Sequence, residues 1–339
     1  MFENPTRVPT TPDDAPAGRP DGSGPPTAGT TTLAWPGGGS CHPAPPLGED
    51  CWFLSGPTAS GKSALAVRLA RRLGAEIVSV DSMAVYRGLD VGTAKPTPEQ
   101  RRLVPHHVVD VATAAAPYSV AMWLEEATRA VADCRARGRG ILFVGGTPLY
   151  LRALRDGLTS LPPADPALRD RLVAEADAHG PETLHRRLAG IDPASAARIH
   201  PRDAKRIIRA LEVASTAGRP LSSVLPAEQH LRCDERRRFE ERLLILDLPR
   251  AVLNERIDRR VERMFSEGLV EETRAAMLLP GGIGPTALQA AGYAEAIDLI
   301  EGRIDHDEAV RRTQQRTRQL AKRQLTWLRS FKQATWIAA

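Results

Sequence analysis

The chain has 339 residues, of which 42% are hydrophobic and 26% charged, and a formal net charge of +5, which predicts a soluble globular protein of about two domains. No apolar run is long enough to cross a bilayer, and the first residues lack the plan of a signal peptide, so we expect no membrane partner and no secretion. The four cysteines are scattered without a C-x-x-C pair, which argues against a disulfide framework and a zinc site and fits a reducing cytoplasm.

The N-terminal residues 1–48 are rich in Pro, Gly, Thr, Ser and Asp and show almost no apolar periodicity. Because such a composition buries little apolar surface, we predict a disordered N-terminal extension. The folded part is then expected to begin near Cys51.

A glycine-rich stretch matches the phosphate-loop (P-loop) pattern G-x-x-x-x-G-K-[ST]. It consists of Gly56, Pro57, Thr58, Ala59, Ser60, Gly61, Lys62 and Ser63. It stands between an apolar run at 51–54, typical of a strand, and an amphipathic run at 62–73, typical of a helix. Its N–H groups and the start of that helix would form a cradle for anionic oxygens. Lys62 would reach the terminal phosphate oxygens, and Ser63 would hold Mg2+.

A carboxylate follows the next strand. Residues 75–80 are typical of a buried strand, and Asp81 comes directly after them. In doubly wound sheets, ligands bind beyond the carboxyl ends of the strands, which places Asp81 on the side of the phosphate loop if the strands are parallel. There it would accept a proton or bind a metal through water. The alternative role for Asp81 is to cap a helix or a turn.

Strands and helices continue to alternate after this point. Residues 105–111 indicate a short strand with a pair of histidines, which is too isolated to predict a metal site. Ser119 would cap a helix that runs to about Arg137, and residues 140–146 read as a buried strand. Thr147 would cap the next helix. The alternation predicts a parallel α/β sheet.

The end of the strand at 140–146 lacks an acidic residue. An ordinary ATPase places Asp or Glu there for Mg2+, whereas this chain continues with Gly145 and Gly146. Residues this small would let a ligand approach the backbone closely.

The pattern changes at residue 161. Helix starts are indicated at Asp165, Asp192 and Asp203, and no strand separates them. We therefore predict a helical insertion over 161–240, inside a catalytic core formed by 49–160 and 241–339. Lys205, Arg206 and Arg209 lie on the polar side of the third helix, where they could meet phosphates or simply be solvated.

The C-terminal helix carries the strongest signal for RNA. It is predicted over about 306–330 and contains seven arginines and lysines, with few acids after Glu308. Because pairing within the helix cannot neutralise these cations, they form an electrostatic footprint for a polyanion.

Taken together, these motifs resemble the tRNA dimethylallyltransferases. The matching blocks cover nearly everything from Leu54 to Arg329. They are residues 56–63, Asp81-Ser82 with Tyr86, 92–96, 105–107, Tyr118-Ser119, 145–147 with Leu149-Tyr150, 164–166, 197–201, 209–213, Gly292-Tyr293, 318–324 and 326–329. Ser63 replaces the Thr that the family often has. The resemblance implies a P-loop NTPase-like parallel sheet flanked by helices, with an inserted all-helical domain.

The resemblance also implies a reaction: transfer of a dimethylallyl group from dimethylallyl diphosphate to N6 of adenosine-37, beside the anticodon of tRNA. The implied catalytic residues are Asp81, Thr58 and Lys62, the loop at 56–63 binds the diphosphate, and Mg2+ sits on Ser63. The implied tRNA-binding residues are Asp81, Ser82, Met83, Ala84, Thr147, Arg169, Lys205, Arg206, Ile207, Ile208, Arg209, Gln289, Gly292, Tyr293, Lys322, Arg323, Gln324 and Arg329. The partner is the anticodon stem-loop, and a monomer is the default expectation.

Two other interpretations remain open at this point. A P-loop kinase of a nucleoside or small metabolite would share the fold and the phosphate site, but it would need neither the helical insertion nor the basic C-terminal helix. An RNA-binding protein without activity would keep the loop only as a scaffold. The presence of Lys62, Ser63 and Asp81 together argues against the second interpretation.

Overall fold

The computed structural model describes residues 41–42, 44–159, 161–162, 165–224 and 233–339. The predicted disorder of residues 1–40 and 43 lies outside the described residues. At its end the predicted extension is ordered, because Cys41–His42 pairs antiparallel with Leu158–Thr159. The disorder predicted for residues 41–42 is therefore wrong.

Eight strands form two sheets in the described residues: β1 (Cys41–His42), β2 (Cys51–Ser55), β3 (Ala75–Ser79), β4 (His106–His107), β5 (Gly140–Val144), β6 (Leu158–Thr159), β7 (Leu243–Asp247) and β8 (Thr335–Ala338). Six of them form a parallel sheet at the centre of the molecule, in the order β4-β3-β5-β2-β7-β8, while β1 and β6 form a separate antiparallel pair. The parallel α/β class predicted from the alternation of elements is confirmed. The strand β8, at the edge of the sheet, was not predicted.

Helices connect the strands and extend the chain beyond them. They are α1 (Lys62–Leu73), α2 (Pro98–Leu103), α3 (Val120–Ala136), α4 (Pro148–Asp156), α5 (Pro166–His179), α6 (Pro181–Ile191), α7 (Pro193–Ala196), α8 (Ala204–Ala217), α9 (Leu221–Val224), α10 (Cys233–Glu241), α11 (Arg250–Ser266), α12 (Leu269–Met277), α13 (Tyr293–Ile300) and α14 (His306–Leu328). None of these helices combines the length and the apolar character needed to span a membrane.

The predicted helix starts rest on capping side chains. Asp165, Asp192 and Asp203 each accept a hydrogen bond from the backbone N–H three residues further on, which satisfies one of the open donors of a first turn. Ser119 caps α3 in the same way. All four starts are confirmed.

Two local predictions need correction. The strand predicted over 105–111 is only two residues long, because Val108 and Asp110 adopt φ of +58° and +59° and turn the chain away from the sheet. The spacing of Leu65, Leu69 and Leu73 predicts that they form the buried face of α1, but Ala66, Val67 and Ala70 are the buried residues, Leu65 and Leu69 are only partly buried, and Leu73 is exposed. Small residues on that face let the helix pack close to the sheet.

The insertion has an apolar core of its own, formed by side chains between residues 168 and 221. The main core lies around the sheet and includes Phe239 of α10, whose ring is 4.3 Å from that of Phe53. The chain has thus returned to the main core before residue 241, where the insertion was predicted to end.

Candidate active site

Three loops meet where β2, β3 and β5 end. The phosphate loop follows β2, Asp81 follows β3, and Gly145 and Gly146 follow β5. Because these strands are parallel and adjacent, their carboxyl ends share one edge of the sheet. The loops are also bonded directly: Gly145 N–H donates to the backbone oxygen of Leu54, at 3.1 Å.

The phosphate loop is folded on itself around the ammonium group of Lys62. That group donates to the carbonyl oxygens of Gly56 at 2.9 Å and Pro57 at 2.6 Å. Ala59 and Gly61 adopt φ of +63° and +89°, a conformation that turns successive N–H groups toward a common centre. The loop is therefore already shaped to receive anionic oxygens.

Burial and a neighbouring cation shift the pKa of Lys62. The residue is only partly buried, but its ammonium is enclosed by the loop. Loss of water around this group and the charge of Arg260 lower its pKa to about 7, against the opposing effect of Asp81. The pKa of Arg260 is lowered too, by burial, while Asp81 raises it. Lys62, Asp81 and Arg260 thus interact electrostatically at the mouth of the site.

Asp81 caps the turn that follows it through one carboxylate oxygen, Oδ1, and its other oxygen takes no part in the cap. Its Oδ1 accepts hydrogen bonds from the N–H groups of Met83 at 2.8 Å and Ala84 at 3.4 Å. Within the described residues, Oδ2 has no hydrogen bond and no ion pair. The cap fixes the carboxylate in place while one oxygen points to no protein donor.

The loop after β5 serves the protein's own packing. A Cβ at Gly145 would lie 2.1 Å from the backbone oxygen of Val80, so only glycine fits there. Thr147 begins α4 as predicted, but its side chain does not cap the helix. Instead its Oγ1 accepts the N–H of Ser82 at 3.1 Å, which ties this loop to the one that carries Asp81.

Tyr293 was expected at the RNA, yet its side chain is fully buried. Its hydroxyl donates to Glu272 at 2.7 Å, and the Glu272 carboxylate accepts N–H groups from Asp90 at 2.7 Å and Val91 at 2.9 Å. The tyrosine therefore holds a loop of the core, and its ring leaves no room for a Cβ at Gly92. The prediction that the Tyr293 side chain contacts RNA directly is therefore wrong for this structure.

Other residues predicted to contact RNA are also buried in this structure. Ile207 and Ile208 belong to the apolar core of the insertion, where they are 0% and 6% exposed. Ala84 and Gly292 are buried as well. Of the remaining predicted contacts, Lys205, Arg206, Gln289, Lys322, Arg323 and Arg329 are exposed, while Ser82, Met83 and Thr147 are partly buried.

Two predicted RNA-binding arginines are bonded to a buried carboxylate, although their own side chains stay partly exposed. Arg169 and Arg209 each donate to the carboxylate of the fully buried Glu212, at 2.7 Å. Glu212 also accepts the N–H of Asp165 at 2.8 Å, and Arg209 donates to the carbonyl oxygen of Pro162 at 2.9 Å. These bonds fix the point where the insertion leaves the core.

The cations of α14 divide into two groups. The cations from Arg311 to Arg318 are paired: Glu308 pairs with Arg311 and Arg312, while Arg316 pairs with Glu295 and Arg318 with Asp258 on other helices. The prediction that pairing within the helix cannot neutralise these cations is therefore wrong for Arg311 and Arg312, whereas Arg316 and Arg318 are neutralised by acids of other helices. Lys322, Arg323 and Arg329 are exposed, and no described carboxylate pairs with them.

Sequence reasoning missed Arg260 and the role of Gln324. Arg260 lies on α11 beside the buried stripe that contains Val261, and its position next to that stripe was the available signal. Gln324 was assigned to RNA, but its amide binds the N–H of Thr58 and the carbonyl of Gly146, each at 2.8 Å. No pattern in the sequence indicates a contact over such a separation.

A second polar cluster joins the strands β3 and β4 to the C-terminal part of α3. Ligand atoms of Glu76, His107 and Cys134 come within 4.8 Å of one another. Glu76 accepts hydrogen bonds from His107 at 2.6 Å and Arg137 at 2.7 Å, and burial raises the pKa of the Cys134 thiol to about 11. A carboxylate bonded to an arginine and a protonated thiol are poor metal ligands.

The parallel sheet, and a first central strand that leads through a glycine-rich loop into a helix, define a P-loop-like α/β fold. The family described as IPP transferase matches residues 84–331, and that described as isopentenyl transferase matches residues 49–104. The chain belongs to the IPP transferase family.

Named relatives agree with this assignment. A tRNA dimethylallyltransferase of Anaeromyxobacter sp. is 52% identical over 285 residues, which is 84% of this chain and 93% of the relative. One of Geobacter metallireducens is 48% identical over 287 residues, or 84% and 91%. The crystal structure of a tRNA isopentenylpyrophosphate transferase from Bacillus halodurans is similar with a TM-score of 0.59 and 37% identity, over 86% of this chain and 90% of that one.

Proposed function

We propose that this chain transfers a dimethylallyl group from dimethylallyl diphosphate to N6 of adenosine-37, next to the anticodon of tRNA. In this reaction the bond between C1 of the allyl group and the diphosphate oxygen breaks, and a bond between C1 and N6 forms. N6 loses one proton, and diphosphate leaves with the electron pair. Family membership supports the reaction class, and the site supplies groups for each part of it.

The observation that carries the proposal is the meeting of a phosphate loop and a carboxylate at one edge of the sheet. The charge of Asp81 interacts with that of Lys62 and with that of Arg260. A donor held by the loop would thus have its leaving group beside two cations and its reactive carbon on the side of Asp81. A kinase would need neither a proton acceptor for adenine nor the exposed cations of α14.

On the donor side, the protein would stabilise the charge that grows on the departing diphosphate. The loop N–H groups, Lys62 and Arg260 are positioned before the reaction, so they need not reorganise as the bond loosens. Because Lys62 has a pKa of about 7 in the free protein, an arriving anion would raise that pKa and hold the charged form.

On the acceptor side, Asp81 would orient the amine and take its proton. The N6 lone pair of adenine is delocalised into the ring, so the amine is a weak nucleophile and gains from fixed orientation. The bonds from Met83 and Ala84 to Oδ1 hold the carboxylate still, and Oδ2 is the oxygen that would meet N6. Proton transfer to a positioned base typically contributes about 100- to 10,000-fold in rate.

Mg2+ belongs to the proposal as the partner of the diphosphate. Ser63 is exposed on the first turn of α1, so its hydroxyl is accessible to an ion that arrives with the donor. An oxygen ligand of this type suits Mg2+, which is usually held by few protein groups together with phosphate oxygens. When bound, the ion would neutralise charge on the leaving group.

The RNA would lie across the exposed cations at the end of α14. Lys322, Arg323 and Arg329 offer charges that the described protein does not itself use. The target base must leave its stack to reach Asp81, as in other enzymes that act on a base. We further propose that the protein acts as a monomer in the cytoplasm, which agrees with the free buried thiols of Cys51 and Cys134.

The direct test offers the purified protein two labelled donors in parallel. It is incubated with Mg2+, unmodified tRNA and either dimethylallyl diphosphate labelled in the allyl group or ATP labelled in the γ-phosphate. We expect label from the first donor to appear in the RNA at adenosine-37 and none to leave ATP. Transfer or hydrolysis from ATP alone would contradict the proposal and favour a kinase.

A further inference from the structure

The amide of Gln324 ties three distant segments together at the mouth of the candidate site. Its Oε1 accepts the N–H of Thr58 at 2.8 Å, and its Nε2 donates to the carbonyl oxygen of Gly146 at 2.8 Å. One partner is only a donor and the other only an acceptor, so a single orientation of the amide satisfies both. The side chain thus joins the C-terminal helix to the phosphate loop and to the loop after β5.

The contact is tight enough to transmit a displacement. A Cβ on Gly146 would lie 2.7 Å from Gln324 Nε2 and 2.9 Å from the carbonyl oxygen of Gly56. The helix, the phosphate loop and the loop after β5 therefore touch at one glycine. In such close packing, a shift of one segment moves the others.

The connection continues toward the acceptor side. Thr147 follows the glycine that Gln324 binds, and its Oγ1 accepts the N–H of Ser82 at 3.1 Å. Its own N–H donates to the backbone oxygen of Val80 at 3.2 Å. A bonded path thus runs from the phosphate loop through Gln324 to the residues on either side of Asp81.

The same turn of α14 presents the charges for RNA. Lys322 and Arg323 precede Gln324 directly and are exposed, and no described carboxylate pairs with them. A phosphate bound there would restrict the turn that carries the amide. The helix is packed on the core through the buried side chains of Ala321 and Leu328, so Gln324 is the part of this turn through which the restriction would reach the two loops.

We propose that Gln324 is a positioning residue that couples the binding of tRNA to the binding of the diphosphate group. The inference rests on the proposed function, because the two ligands are those of that reaction. The bond between the Thr58 N–H and Gln324 holds the loop in the shape that receives diphosphate, and tRNA on α14 would increase the share of molecules in which this bond is made. Linkage then requires that diphosphate tightens tRNA by the same factor as tRNA tightens diphosphate.

The test measures this factor by calorimetry with inorganic diphosphate and Mg2+, in the absence and presence of saturating unmodified tRNA. We expect tRNA to tighten diphosphate binding roughly tenfold in the wild type. Q324A should bring the factor close to one, and so should Q324E, which keeps an acceptor for Thr58 but cannot donate to Gly146. The matched control is Q319A, an exposed glutamine on the same helix, which should keep the wild-type factor.

A measurement on the unaltered protein guards against variants that do not fold. Hydrogen exchange of the segment 54–63 should slow when tRNA binds without any donor. Unchanged exchange, or wild-type coupling in a folded Gln324 variant, would overturn the role of Gln324 and leave the proposed function standing. A wild type that binds neither diphosphate nor tRNA would overturn both.

Discussion

Two clusters in this chain contain the same charges, one carboxylate between two cations, and connect them differently. At the junction of the insertion, Glu212 is bonded to both Arg169 and Arg209 at 2.7 Å. Burial alone would raise the pKa of Glu212, but these hydrogen bonds outweigh it and lower the pKa. Both arginines are bonded to this one carboxylate, so the charge of Glu212 is satisfied within the protein.

In the cluster at the phosphate loop, by comparison, the charged groups are not bonded to one another. Asp81 interacts with Lys62 and Arg260 electrostatically, yet in the part of the chain described no ion pair joins them within 4 Å. Burial lowers the pKa of both cations without a bonded carboxylate to restore it. Charged groups held in this way typically mark functional sites, because a ligand supplies the missing partner. The same set of charges is thus bonded within the protein in one place and left without ion pairs among its members in the other.

The largest contrast is expected from the two carboxylates, starting with Asp81→Asn. The amide keeps an acceptor for the N–H of Met83, so the loop should stay in place, but it cannot accept a proton. We expect turnover to fall by about 100- to 10,000-fold, with tRNA affinity and the free energy of unfolding nearly unchanged. Single-turnover transfer and filter binding on the same preparation measure both. A large loss of tRNA affinity instead would reassign Asp81 to recognition.

Glu212→Gln should give the opposite result. It removes the charge that both arginines share, at a cost of about 2 kcal/mol of unfolding free energy, measured by urea denaturation. The matched control is Arg206→Ala, whose exposed pair with Asp203 should contribute less than about 1 kcal/mol. Because the pKa of Glu212 is lowered from 4.5, its contribution is present above that pH and is lost as the pH falls further. Equal stability of the two variants would contradict the comparison.

The exposed and the paired arginines of α14 should likewise differ in how much they contribute to the salt dependence of tRNA binding. Arg323→Ala should lower tRNA affinity and reduce the slope of log K against log salt concentration by about one, as expected for a lost phosphate contact. Arg318→Ala, on the same helix but paired with Asp258, should leave the slope unchanged. Titrations at several salt concentrations decide this, and equal slopes for both variants would mean that the pairing seen in the protein does not hold on the RNA.

Much of the fold was predictable, because it depends on local patterns. Buried apolar runs gave most strands, and aspartates at helix starts gave the helices of the insertion. The phosphate loop is likewise a contiguous motif. By contrast, Tyr293 matched a motif and turned out to be buried against Glu272, and Arg209 was counted as a free charge although Glu212 neutralises it.

What the sequence could not give is which charges find partners across the fold. The pairing of Arg318 with Asp258 and the contact of Gln324 with Thr58 join residues far apart in the chain. Their existence depends on how helices pack, which periodicity does not encode. A count of cations on α14 therefore overestimates the surface available to RNA.

The smallest expected effect is the number of protons taken up when diphosphate binds, which reports the charge state of Lys62 in the cluster at the phosphate loop. With a pKa of about 7, Lys62 is mostly neutral at pH 8 in the free protein. Diphosphate should raise that pKa above the solution pH, so binding takes up close to one proton at pH 8 and almost none from this group at pH 6. Calorimetry in two buffers of different ionisation enthalpy measures the uptake, and Lys62→Ala leaves only the share of diphosphate itself.

The presence or absence of this proton uptake distinguishes the two clusters. A lysine that was already paired, like the arginines around Glu212, would be charged at every pH in this range and would take up nothing. Equal uptake by the wild type and Lys62→Ala would therefore show that Lys62 is satisfied before the donor arrives. An uptake that disappears in the variant would mean that the loop holds its ammonium partly discharged, and that the leaving group completes the ion pair it lacks.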